Sequence, residues 1–163
     1  MNGANGNGTH AAKERKVLNR LLAVFQYSLA SYLRYASPWT HPGDARLLKA
    51  VRQITAAHET YVERLGTLIL KGRGQIEPGR FPTRFTAYND LALDYLARRL
   101  VEHERELIEE ITRSVPWLGV DSEARQLVEA ILASERQHLR ALTDLVSPSP
   151  PRDESHPVTP LAA

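Results

Sequence analysis

Cysteine is missing from all 163 residues of the chain. Its absence excludes disulfides, thiolate metal sites and cysteine nucleophiles together, so any bound metal must be held by His, Asp or Glu. Long apolar runs are missing too: none approaches the roughly 18 to 20 residues that span a bilayer. The opening stretch MNGANGNGTH has neither the basic nor the apolar part of a secretion signal. These gaps predict a cytoplasmic protein with no membrane partner. An excess of one charge is also lacking. The 21 Lys and Arg residues face 19 Asp and Glu, and the net +2 is interleaved along the chain, which predicts no nucleic-acid partner. No internal repeat and no alternating strand pattern occurs, so the expected class is all-α.

What the chain does contain is 42% apolar and 25% charged residues, enough for one domain with its own core. Residues 1–9 are mostly Asn and Gly, and residues 147–163, SPSPPRDESHPVTPLAA, are rich in Pro and Ser. Neither can bury enough apolar area to offset chain entropy, so both are expected to be disordered tails around a domain at 10–146.

Four segments of that domain have a helical period. The first, about 11–37, lines up Leu18, Leu22, Phe25, Leu29 and Tyr32 before Pro38 stops it. The second starts after Asp44 as N-cap and carries Leu47, Val51, Ile54, His58, Leu65 and Ile69 up to Gly72. A third, capped by Thr86, offers Leu93, Leu96, Leu100, His103, Leu107 and Ile111. The fourth starts near Asp121 and presents Val128, Ile131, Glu135, His138 and Leu142. At about 1.5 Å per residue each is roughly 40 Å long, which predicts a four-helix bundle. The six-residue links PWTHPG and VPWLGV predict two antiparallel hairpins. The middle link RGQIEPGRFPTRF can reach roughly 43 Å when extended, enough for a crossover along the bundle.

In this register one odd residue of each helix falls at mid-bundle: Phe25, His58, His103, and the pair Glu135 with His138. Three imidazoles and a carboxylate at one level must be hydrogen-bonded, paired or metal-bound. Their composition suits a single ion of Zn, Fe or another first-row metal. Plainer roles stay open: Glu135 and His138 bonding each other on the helix surface, His58 and His103 as satisfied core histidines, and Glu59, Glu102 and the EHERELIEE run as a solvated face.

The stretches VLNRLLAVFQYSLASYLRYA and ILASERQHLRAL resemble the first and fourth helices of bacterioferritin, and with the crossover architecture the chain is similar to the ferritin-like superfamily over about residues 16–146. The resemblance implies a di-iron site built from one Glu on each of two helices and Glu-x-x-His on the other two. It carries over to Glu135 and His138. The second-helix Glu is replaced by Thr55, leaving His58, and the first-helix Glu by Phe25; the third-helix position falls to Glu102 or His103, with Asp94 off level in NDLALD. So few bridging carboxylates imply a degenerate site holding one ion through Glu135, His138, His58 and His103. No catalytic residue is assigned. Two alternatives stand beside it: a metal-free scaffold that meets protein partners or copies of itself through its outer helix faces, and a small-ligand bundle with an apolar pocket near Phe25 and Tyr32.

Overall fold

The computed structural model describes residues 5–36, 38–80, 82–88 and 91–146. Among them the fold is all-α, with four long helices packed against one another. These are α1, Asn5–Gln26, extended by the short α2, Leu29–Leu33; then α3, Ala45–Lys71; α4, Leu93–Ser114; and α5, Glu123–Val146. Helix α1 begins inside the Asn/Gly-rich stretch, and its residues 8–13 are exposed. Residues 1–4 and the C-terminal segment 147–163, where tails were expected, lie outside the described residues. No described helix is long and apolar enough to cross a membrane.

Helix boundaries depart from the sequence expectation in the first and third segments. The first helical segment is broken at Tyr27 and Ser28, where Ser28 takes an extended backbone (φ −70°, ψ 162°) and its side chain caps α2 by accepting from Ser31 N–H. The third helix starts at Leu93, because the Thr86 hydroxyl donates to the Thr83 carbonyl instead of accepting a helical N–H; residues 83–88 form a 3-10 turn. The fourth helix starts near Asp121 as expected, with the Ser122 hydroxyl accepting the Arg125 N–H.

The described parts of the connection from α3 to α4, residues 72–80, 82–88 and 91–92, lie along α1 and α2. Buried Asn19 pins its start, donating to the Gln75 carbonyl at 3.1 Å and accepting from Glu77 N–H at 2.8 Å. Gly79 passes so close to Tyr27 that a Cβ there would lie 2.2 Å from the ring. Phe85 then packs on Tyr32, and backbone bonds join Leu91 and Leu93 to Trp39.

The core is not continuous. One apolar cluster contains Leu22, Phe25, Leu65, Ile111, Val128 and Ile131; the other contains Leu29, Val51, Ile54, Leu96, Leu100 and Leu142. Between them the helices place buried polar groups: Ser28, His58, Glu104 and Glu135. Seven-residue rows show why they point inward. Val51, His58 and Leu65 share a row, as do Ala97, Glu104 and Ile111, and Val128, Glu135 and Leu142, and all nine are buried. Apolar residues two turns to either side hold each polar side chain in the interior.

Candidate metal centre

His58, Glu104 and Glu135 converge in this middle layer from α3, α4 and α5, and none of the three is exposed at all. His58 Nε2 lies 3.3 Å from Glu135 Oε2 and 3.6 Å from Glu104 Oε2. One ligand atom from each residue falls within 4.8 Å of the others, a grouping that could hold a metal ion. On the other side of the ring, Nδ1 is 2.8 Å from Ser28 Oγ. Phe25 packs edge-on against the imidazole, 5.0 Å between ring centres, and against Tyr61 at 5.1 Å. The ring is therefore held on three sides.

The two carboxylates differ in their partners. Glu135 Oε1 is bonded to His138 Nδ1 at 3.0 Å and Oε2 to His58. Glu104 has no such support: both its oxygens are buried and accept no hydrogen bond within the described residues. The Tyr61 hydroxyl, buried beside Ser134 and Glu135, has none either. A buried carboxylate that accepts no hydrogen bond is costly to a fold, and the nearest positive group to this one is the His58 imidazole at 3.6 Å.

The charges follow from this packing. Burial alone would favour a neutral His58, but attraction from Glu104 and Glu135 outweighs it and raises the imidazole to about 9. Burial pushes the Glu104 carboxyl up to about 7, against the pull of His58. Burial acts the same way on Glu135, yet hydrogen bonds with His138 and His58 hold its carboxyl well below the usual range. At neutral pH the layer thus holds an imidazolium, a carboxylate, and a second carboxyl poised between its two forms.

The structure brings together His58 and Glu135, with His138 attached to Glu135, at the level expected from the sequence. His103 stands apart from the three-residue group. It is half-buried with its ring 5.8 Å from that of Phe85, and its place is taken by the next residue, Glu104, which the charged run EHERELIEE concealed. The signal was in the seven-residue rows. His103 shares a row with Leu96 and Glu110, and Glu110 pairs with Arg20 in the rim of the bundle. Glu104 sits between Ala97 and Ile111, both fully buried. The other acids weighed from the sequence bind arginines on the surface: Glu102 with Arg99 and Asp94 with Arg98, and Glu59, expected on a solvated face, with Arg34. Thr55 turns its hydroxyl to the carbonyls of Ala30 and Val51. No family model, curated protein or solved structure matches this chain, so its chemistry is read from its own side chains.

Proposed function

We propose that this chain is a ferritin-like four-helix protein that holds a single divalent metal ion at mid-bundle, through His58 Nε2 and one oxygen each of Glu104 and Glu135. The observation that carries the proposal is the Glu104 carboxylate, buried without a donor and facing His58 and Glu135. Donors bound to one ion at about 2.0 to 2.2 Å lie roughly 3 to 3.6 Å apart. The His58 separations of 3.3 and 3.6 Å fall in that range. Such a set of one nitrogen and two oxygens suits Zn or Fe(II), and a bound ion would act as a Lewis acid on whatever fills its remaining positions. His138 would then orient Glu135 from outside the ligand set.

Two further features support the family reading and a single ion. Ser28 meets His58 and Ala30 meets Thr55, so the chain reverses between the first helical segment and α3, as in a hairpin. The connection lying along α1 and α2 returns the chain to Trp39 before α4 starts, as a crossover would. Of the positions where a di-iron site needs acids, one holds the Phe25 ring and another a threonine bonded to backbone. Without those acids there is too little negative charge to offset the repulsion of two ions.

A metal-free scaffold is the competing function, favoured by His58 itself, which as an imidazolium can hold both carboxylates. The two separate on the full chain purified without an affinity tag. Metal analysis after dialysis against Zn²⁺ or Fe²⁺ is expected to find about one ion per chain, with thermal stability raised by binding. Glu135→Ala should lose both. Absence of either ion, with no change in Tm on adding metal, would establish the scaffold.

A further inference from the structure

We propose that the break in the first helical segment serves to fix His58: Ser28 and Ser31 form a one-way hydrogen-bond relay that keeps a proton on Nδ1 and leaves Nε2 as the ligand atom facing Glu104 and Glu135. The proposal rests on the metal function above and adds to it two positioning residues, neither of which would touch the ion.

The direction of the relay is set from its far end. The Phe25 carbonyl can only accept, and Ser31 Oγ lies 2.8 Å from it, so the Ser31 hydroxyl commits its one proton there. Ser31 Oγ then has only lone pairs to offer Ser28, 3.1 Å away, and Ser28 donates to it. Ser28 Oγ already accepts the Ser31 N–H at 3.1 Å, and its remaining lone pair faces His58 Nδ1 at 2.8 Å. With its own proton committed, Ser28 can only accept from Nδ1. A neutral imidazole carries a single N–H, so holding it on Nδ1 frees the Nε2 lone pair. The opposite polarity, with Ser28 donating to Nδ1, would put the proton on Nε2 and block ligation.

The break makes this geometry available. In an unbroken helix the Phe25 carbonyl would take the N–H four residues on. Here it accepts the Ser28 N–H at 3.2 Å and keeps room for the Ser31 hydroxyl. The same break turns Ser28 to its extended conformation and aims Oγ at the α3 imidazole. An ion would displace the Nε2 proton while both serines stayed as they are.

The test uses the full chain with Co²⁺, read by its visible spectrum, and Zn²⁺ in competition. Ser31→Ala keeps the Ser28 cap and its contact with His58 but frees the Ser28 hydroxyl to donate to Nδ1. Affinity is expected to fall by roughly 10- to 100-fold, while Ser31→Thr, which restores a hydroxyl, stays within about twofold of the parent. Equal affinity in Ser31→Ala would overturn the relay. If the parent chain binds neither ion, the metal function fails and the relay is judged in the metal-free protein. There the His58 Nδ1–H, labelled with ¹⁵N, should exchange slowly with water in the parent and quickly in Ser28→Ala. Unchanged exchange would overturn the relay on its own.

Discussion

Glu104 has an ionisable group in the driest part of the molecule, beside a second carboxylate and without a donor of its own. Its replacement should therefore move metal affinity and metal-free stability in opposite directions. In Glu104→Gln the side chain keeps its shape, loses its charge, and gains an amide that can donate to Glu135. At pH 9, where the parent carboxyl is ionised, the metal-free variant is expected to melt at or above the parent temperature, because a buried charge repelling Glu135 has been removed. Zn²⁺ affinity is expected to fall at least about tenfold, since one of three ligands is gone. Paired melting curves with and without metal check both signs, and a variant that melts lower while binding Zn²⁺ normally would remove Glu104 from the site. Little of this residue's role was legible in the sequence. It sits in a run of acids and bases, where a carboxylate is ordinarily solvated, and only the burial of Ala97 and Ile111 on either side separates it from its neighbours.

At the scale of the element, helix ends decide how the layer is assembled. Helix α3 closes with a pair of bonds, Gly74 N–H to the Ile69 carbonyl and Arg73 N–H to the Leu70 carbonyl, which together wrap the last turn back on itself. This closure needs one residue in the left-handed region, and that residue is Arg73, at φ 53°. The helix ends before Gly72, as the sequence predicts, and the left-handed residue is the one after it. Arg73→Gly is expected to stabilise the fold by roughly 1 kcal/mol, by relieving the clash between Cβ and backbone that a left-handed side chain carries. Chemical denaturation would show it as a higher midpoint at unchanged slope. The break at Ser28 was equally hidden. FQYSLASYL reads as continuous helix by period, and only the pairing of Ser28 with His58, a residue thirty positions away, gives the interruption a purpose.

For the whole molecule, two apolar cores are joined through a charged layer, and that layer should govern how stability depends on pH. His58 titrates near 9 in the fold against 6.5 in an unfolded chain, so its contribution is complete below pH 6.5 and is lost as pH rises through 9. Glu104, raised from 4.5 to about 7, acts in the same sense: the fold holds its proton more tightly, and that advantage disappears as pH rises through 7. Glu135 acts oppositely, its depressed carboxyl contributing above the usual carboxylate range and losing that contribution in acid. The metal-free protein is therefore expected to be most stable near pH 5 and to lose stability steadily as pH rises through 7 and toward 9. Added Zn²⁺ should reverse the trend, its stabilisation growing over the same interval as protons cease to compete for Nε2 and Glu104. Melting temperatures from pH 5 to 9 with and without the ion check both, and a metal-free protein that grew more stable toward pH 9 would contradict the assigned charges.

The all-α class and the four long helices were settled by the sequence alone, because apolar residues recurring at helical spacing over twenty or more positions leave no other way to bury them. The same spacing placed His58 and Glu135 on inward faces. Which residue α4 contributes was a matter of about 100° of rotation, the angle between neighbouring positions on a helix. That rotation is decided only when α4 packs against α3 and α5 at once. The break at Ser28, the left-handed turn at Arg73 and the unbonded carboxylate of Glu104 are likewise settled by contacts between segments far apart in the chain, which no local pattern records.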